Sequence, residues 1–226
     1  MHTPPQTHIA QNDTARLIPS KYSPDEASVL TRIADDDGHL QTIFALDAAA
    51  NDRLRAMADQ LGGIAAAELV TDAPFASVIN AAFCHANPLG ARFNGPERGA
   101  WYASFTPETS LAEVSFHHAV ALSETDYFHD SVTYDTYLAD FDADFYDIRD
   151  TEKYAAYLAH DDHSAAQKLA ETLQASGANG VVYPSVRGTG DCIACFRPAL
   201  VKNVRKSTRY RLTWSGSATP EIVTEG

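Results

Sequence analysis

The sequence predicts an α+β fold, a mixed β core with flanking helices, from three observations. Helix signals crowd into the first third of the chain. Strand signals dominate from about residue 76 onward. The two kinds do not alternate in the regular way that builds a parallel βαβ sheet. The chain has 226 residues, 45% of them hydrophobic and 21% charged, enough for one packed domain with an extension. We divide it into an N-terminal tail and helical extension, residues 1–74, and a main domain, residues 75–226.

Residues 1–20 are polar and rich in Pro and Gln, and read as a loose tail. Ser23-Pro24-Asp25-Glu26 is a helix start, with a cap, Pro in the first turn and two acids, and predicts a helix to about Ala34. Asp35-Asp36-Asp37-Gly38 breaks it. A second helix is expected over His39–Leu61, ended by Gly62-Gly63. Gly99–Phe105 reads as a strand. Thr106 then caps a helix from Pro107 to about Val120. Ser131–Leu138 and Asp144–Ile148 read as two strands, and His163–Ala175 as a helix stopped by Gly177. Gly180–Ser185 and Cys192–Arg197 are strands joined by a Gly-rich turn, and Lys202–Trp214 supplies one or two more.

Lys and Arg total 17 against 30 Asp and Glu, a formal charge of −13. Such a surface repels phosphate backbones, so direct nucleic-acid binding is not expected, while a basic partner protein is accommodated. No apolar run approaches the roughly 20 residues that span a bilayer, and the N-terminus lacks the pattern of a secretory leader. A cytoplasmic protein without membrane contact is the expectation. The three cysteines, Cys84, Cys192 and Cys195, do not make a disulfide framework. Cys192 and Cys195 fall in a strand, where positions three apart point to opposite faces, so they read as core residues rather than a redox or zinc pair. His117-His118 and His160-Asp161-Asp162-His163 lack a recognised ligand spacing, and no metal is expected.

Chemistry concentrates in residues 87–118, NPLGARFNGPERGAWYASFTPETSLAEVSFHH. Gly90 and Gly95-Pro96 bracket Arg92 in a sharply turning loop. A strand carrying Tyr102 follows, then a helix carrying Glu113. An arginine fork suits a pyrophosphate, a tyrosine can stack on a flat ring, and a carboxylate can stabilise a sugar cation. Taken singly, each residue has a duller reading: a solvated loop charge, a core aromatic, a surface glutamate.

Read together, the stretch resembles the signature of the RES domain family. The resemblance rests on Arg92-Phe93-Asn94, Trp101-Tyr102-Ala103-Ser104, and Thr106-Pro107-Glu108-Thr109 leading to Glu113-Val114. It continues in Gly180-Val181-Val182-Tyr183-Pro184-Ser185-Val186-Arg187, in Ala194-Cys195-Phe196-Arg197-Pro198, and in the span from Tyr210 to Trp214. The resemblance implies an ADP-ribosyltransferase-like fold and an enzyme that degrades NAD⁺ at the nicotinamide–ribose bond, with water or inorganic phosphate as acceptor. It also implies a toxin neutralised by an Xre-type helix-turn-helix antitoxin. A transferase acting on one protein, or an inactive partner-binding module, are the rival readings. By this resemblance Glu113, Arg92 and Ser185 are catalytic, Arg92, Asn94, Tyr102 and Ser185 bind NAD⁺, and no resident cofactor is needed. Two departures stand out. Ala91 replaces a glycine before Arg92. An arginine upstream of the signature in compact members has no counterpart in Val78–His85, which leaves His85 and Arg187 as candidates for that phosphate contact.

Overall fold

A computed structural model describes residues 3–23, 63–71 and 73–225. The helices expected over Ser23–Ala34 and His39–Leu61 lie outside the described residues. Seven strands form one mixed sheet: β1 (Gln6–Pro19), β2 (Trp101–Ser104), β3 (His129–Asp147), β4 (Gly180–Pro184), β5 (Asp191–Cys195), β6 (Lys202–Ser215) and β7 (Glu221–Glu225). Three α-helices are described: α1 (Ala76–Cys84), α2 (Pro107–Ser123) and α3 (Ser164–Ala175). The strand order is β1-β2-β5-β4-β3-β6-β7, and β1 also pairs with β3. Five strands therefore close on themselves, while β6 and β7 continue outward from β3. All pairings are antiparallel except β3 with β4. The expected α+β class, with a mixed sheet and flanking helices, is what the chain adopts.

The expectation of a loose tail over residues 1–20 is overturned. That segment is β1, paired with β3 from Gln6↔Tyr146 to Pro19↔Tyr134. Asn12-Asp13 gives it the look of a turn. A register shift between Gln11 and Thr14 absorbs the extra residues, with Asp13 in the left-handed region at φ 59°. Thr14, Ala15 and Leu17 bury their side chains beyond this bulge.

The two strands expected at Ser131–Leu138 and Asp144–Ile148 are one strand, β3, of 19 residues. The acids between them look like a break but follow the pleat. Ala139 and Phe141 face the core, and Asp140 accepts from the Asp13 amide, Asn203 and Arg205 on neighbouring strands. The run from Ala76, where strand signals were expected to take over, is instead helix α1, which buries Val78, Ile79 and Phe83. At α2 the expected cap holds: the Thr106 side chain accepts from the Thr109 amide with Pro107 next to it, and the helix continues past Val120 to Ser123. α3 begins at Ser164, whose amide is capped by the Asp162 carboxylate at 2.9 Å, and ends before Gly177 at φ +83°.

Strand β5 shows how the layers divide. Ile193 and Cys195 enter one cluster with Ile79, Phe83, Trp101, Phe141 and Phe145. Cys192 and Ala194 enter the other with Phe93, Leu169, Val181, Tyr183 and Phe196. The two cysteines are thus buried on opposite faces, as the strand period requires, and burial raises both thiol pKa values to about 12. A third cluster packs Leu111 of α2 against Leu17, Tyr134, Leu212 and Trp214. No helix among the described residues is long and apolar enough to cross a membrane.

One buried charge fastens β6 to β3. Asp135, 1% exposed, accepts from Arg209 Nε at 2.6 Å and faces Lys206 Nζ at 3.1 Å. Burial alone raises its pKa, but the bonds from Arg209, Ser23 and Lys206 outweigh it and bring the carboxyl to about 2. A folded-state pKa below the unfolded one gives stability that is present above the unfolded pKa and lost as pH falls through the folded one. We expect Asp135 to contribute about 2 kcal/mol at neutral pH, lost between about pH 4 and pH 2. Urea midpoints across that range should fall more steeply in the wild type than in Asp135→Asn. Parallel slopes would remove Asp135 from the acid response.

Candidate active site

The site is assembled from a loop, a helix and the turn after β4. In the loop, the Ala91 amide donates to the Asn94 carbonyl at 2.9 Å, closing a tight turn around Arg92 and Phe93. Gly90 lies at φ +73°, and a Cβ there would meet the Asn94 carbonyl at 2.3 Å, so glycine is required. Ala91 carries its methyl group without disturbing the turn. Phe93 is fully buried against Tyr183 of β4, with ring centroids 4.7 Å apart.

Arg92 is 8% exposed. Its Nη1 donates to the carbonyls of Tyr157 at 3.2 Å and Ala159 at 2.7 Å. Burial lowers its pKa, while Tyr183 and Glu113 raise it and Arg187 lowers it further. An arginine stays cationic under such a shift. Tyr102 serves the same loop from beneath. Its hydroxyl accepts from the Phe93 amide at 2.9 Å and donates to Asn94 Oδ1 at 2.7 Å. Burial raises its pKa, so the hydroxyl remains a protonated donor. Asn94, 3% exposed, uses its amide on the Gly95 carbonyl at 2.7 Å.

Glu113 stands nearly two turns into α2. Ser185 Oγ donates to its Oε1 at 2.6 Å. The same Oγ accepts from the amides of Arg187 at 3.2 Å and Gly188 at 3.0 Å. The turn is pressed onto α2: Thr109 Oγ1 donates to the Thr189 carbonyl, and a Cβ on Gly188 would meet Ala112 at 2.9 Å. The loop glycines thus permit the close approach that brings Ser185 to Glu113.

Arg187 lies across this turn with its guanidinium 3.5 Å from the Phe116 ring centroid. Its Nη2 donates to the His160 carbonyl at 2.6 Å and its Nη1 to His160 Nδ1 at 2.7 Å. His117 is 3.9 Å from Glu113, and 65% of its side chain is exposed. Local crowding of its ring lowers its pKa, Glu113 raises it, and Arg187 and Arg92 lower it again. Burial, Arg92, His117 and Arg187 likewise lower the pKa of His163. Arg92, Arg187, His117 and His163 therefore share one electrostatic neighbourhood with Glu113.

Of the residues singled out in the sequence, Arg92, Asn94, Tyr102, Glu113, Ser185 and Arg187 belong to this connected group. His85 stands apart, exposed at the C-terminal cap of α1. His118 turns away to Asp130, 2.7 Å distant, and lies against Trp214. Sequence reasoning missed Arg16. It donates to the Tyr102 carbonyl at 3.1 Å, rests 4.9 Å from the Trp101 ring centroid, and has its pKa lowered by burial to about 10. Its Nε is buried without a hydrogen-bond partner. No local signal in the sequence marks it, because its partners lie on β2, far along the chain. Tyr183 and His160 were also missed as parts of the site. A cavity of about 530 Å³ between Glu68 and Lys202 is lined by none of these residues.

The RES domain profile matches residues 68–215. The chain belongs to the RES domain family. The match spans the Arg92 loop, α2 and the Ser185 turn. No curated protein matches it in sequence. Among solved structures, the RES chain is similar to one in the crystal structure of the M. tuberculosis MbcT–MbcA toxin–antitoxin complex. The TM-score is 0.47 at 15% identity, covering 91% of this chain and 87% of that one.

The hydroxyl of Tyr102 is committed to the Arg92 loop, to the Phe93 amide and to Asn94. Tyr102→Phe leaves the buried Phe93 amide without its acceptor and should destabilise the fold by roughly 1–3 kcal/mol. Chemical denaturation measures this directly. An unchanged midpoint would mean that the loop holds its turn without the tyrosine.

Proposed function

We propose that this RES chain is a toxin-type enzyme that cleaves the nicotinamide–ribose bond of NAD⁺, with inorganic phosphate or water as acceptor. The observation that carries the reading is the Ser185–Glu113 bond of 2.6 Å, made within reach of two low-exposure arginines. A carboxylate beside two largely buried guanidiniums, one of them also 3.4 Å from the exposed Asp161, suits a substrate with an anionic pyrophosphate and a reaction that develops positive charge on the ribose. Arg92 and Arg187 bind the pyrophosphate, since a guanidinium fork makes paired bonds to phosphate oxygens. Arg92 keeps its backbone anchors on Nη1 while doing so. Glu113 faces the ribose and stabilises its cation. The C–N bond breaks with its electron pair going to the pyridinium nitrogen, so nicotinamide leaves neutral. Phosphate or water then adds to C1 of the ribose and releases a proton, giving ADP-ribose 1-phosphate or ADP-ribose. Ser185 has both its accepting positions and its proton committed, and serves as the clamp on Glu113 rather than as a nucleophile. Membership of the RES family and the charge of −13 also support a partner: a more basic Xre-type antitoxin that covers the Arg92–Glu113 cleft.

Purified protein incubated with NAD⁺, with and without phosphate, should release nicotinamide, and the second product names the acceptor. Glu113→Gln keeps the shape and loses the charge, so it should turn over NAD⁺ at least about a hundredfold more slowly while remaining folded. A folded Glu113→Gln protein of wild-type rate would remove Glu113 from the mechanism. Arg92→Lys should weaken NAD⁺ binding by roughly 1.5–3 kcal/mol in calorimetry. In cells, NAD⁺ should fall before growth stops, and co-expression of the antitoxin should prevent both. Growth arrest at normal NAD⁺ would favour modification of a protein target instead.

A further inference from the structure

The run His160-Asp161-Asp162-His163 has no recognised metal-ligand spacing, and the reaction proposed above gives His160 no part. The structure places it against an arginine. Leu158, 8% exposed, anchors one end of this segment in the core, and Asp162 caps α3 at Ser164 at the other. The residues from Tyr157 to His160 pass Arg92 and Arg187 and give both of them acceptors. The carbonyls of Tyr157 and Ala159 accept from Arg92 Nη1. The His160 carbonyl accepts from Arg187 Nη2 at 2.6 Å, and the His160 ring Nδ1 lies 2.7 Å from Arg187 Nη1. Phe116 covers one face of the same guanidinium, whose Cζ is 3.5 Å from the ring centroid.

From this geometry we infer that His160 is the positioning residue of Arg187 and that it works as a neutral acceptor. The inference rests on the NAD⁺ reading above, in which Arg187 binds the pyrophosphate. A guanidinium only donates, so Nδ1 is the accepting nitrogen and the imidazole carries its proton on Nε2. Carbonyl and ring grip the two Nη atoms from one residue, and Phe116 fixes the plane. This grip orients a long side chain in advance, so less of its freedom is lost when an anion binds. Neutrality is the second half of the device. A carboxylate in the same place would hold the fork but answer its charge, as Glu68 does for Arg98 and Arg197. A ring nitrogen and peptide carbonyls leave the charge to a ligand, for Arg187 as for Arg92. Asp161 approaches Arg187 to 3.4 Å, but its side chain is 91% exposed and solvent screens the pair. His160 reaches the substrate only through Arg187, so its effect falls on binding and not on bond cleavage.

Three substitutions at this exposed position separate the parts, read as KM and kcat for NAD⁺ cleavage by the full chain. His160→Leu removes the ring acceptor and should raise KM at least about fivefold, with kcat within about twofold of wild type. His160→Asn carries an amide oxygen close to the place of Nδ1 and should bring KM back to within about twofold of wild type. His160→Asp keeps an acceptor but adds a charge, and its KM should exceed that of His160→Asn. In an Arg187→Ala chain, His160→Leu should change KM by less than about twofold, because the histidine acts through the arginine. Nitrogen NMR of the wild-type ring should show the proton on Nε2, a preference that Arg187→Ala removes. An unchanged KM in His160→Leu, in a chain that cleaves NAD⁺, overturns the inference alone. So does a fall in kcat at constant KM, or an equal loss with and without Arg187. Equal KM values for His160→Asp and His160→Asn overturn the neutral-acceptor half. A wild-type chain that neither binds nor cleaves NAD⁺ overturns the reading beneath it, while the ring proton on Nδ1 overturns the grip itself.

Discussion

The pairing of β1 with β3 closes the sheet, and the positions of the other functional elements refer back to it. Without β1, one long edge of β3 would be bare, and the helix and strand that carry Glu113 and Tyr102 would lose their common reference. Ser110 of α2 donates to the Ala15 carbonyl at 2.7 Å, and Arg16 donates to the Tyr102 carbonyl at 3.1 Å. Two adjacent residues of β1 thus locate α2 on one side and β2 on the other. Glu113 follows Ser110 by three positions, close to one helical turn, so the contact with Ala15 sets the height of the carboxylate on the helix. Thr14, next in line, donates to the Ala139 carbonyl at 2.7 Å and keeps β1 in register beyond its bulge.

The site inverts the electrostatics of the chain that contains it. A net charge of −13 makes the surface field negative, which repels a dinucleotide at long range. At short range Arg92 and Arg187 face Glu113, with the exposed Asp161 3.4 Å from Arg187. Within a Debye length of roughly 8 Å the local cations dominate, because they are partly withdrawn from solvent and less screened than the surface acids. Arg92 is stabilised there by peptide carbonyls rather than by a carboxylate partner, so its charge is hydrogen-bonded without being neutralised. That is the arrangement an anion-binding arginine needs. By contrast Arg98 and Arg197, which share Glu68, and Arg149, paired with Asp147 and Asp191, have their charge answered within the fold.

The parts of the chain legible in the sequence were those fixed by local chemistry. Thr106-Pro107 starts a helix wherever it occurs, Gly177 ends one, and the Gly-rich turn after Ser185 admits few alternatives. The parts that stayed hidden depend on partners far along the chain. β1 looks like a tail because Asn12-Asp13 and its polar flanks give no period of two, and its strand character comes from β3, more than a hundred residues away. The acids at Asp140 and Asp142 look like a break in β3 until Arg205 and Asn203 on β6 are seen to answer Asp140. Within the site, the motif identified Arg92, Glu113 and Ser185. It did not reveal Arg16, because nothing in the sequence places a residue of the first strand beside a tyrosine 86 positions later.

The hydrogen bonds also divide the motif residues by role, which residue identity alone does not do. A group whose donors and acceptors are all used inside the protein can hold a ligand group in place but has little left to offer a substrate. Tyr102 gives its proton to Asn94 and its acceptor to Phe93, so its role is to keep the Arg92 turn rigid. Ser185 is engaged by two amides and by Glu113, and acts by fixing one carboxylate oxygen. Glu113 differs. Oε1 is held by the serine, while Oε2 has no hydrogen bond among the described residues and lies 3.9 Å from His117, beyond hydrogen-bonding distance. Because Oε1 is pinned, the direction of Oε2 is set as well, and a carboxylate fixed in advance need not reorganise as positive charge develops beside it. The serine, the glycines that let its turn approach α2, and the β1 contact that sets the helix height therefore serve one end: a single oriented oxygen facing a cationic cleft.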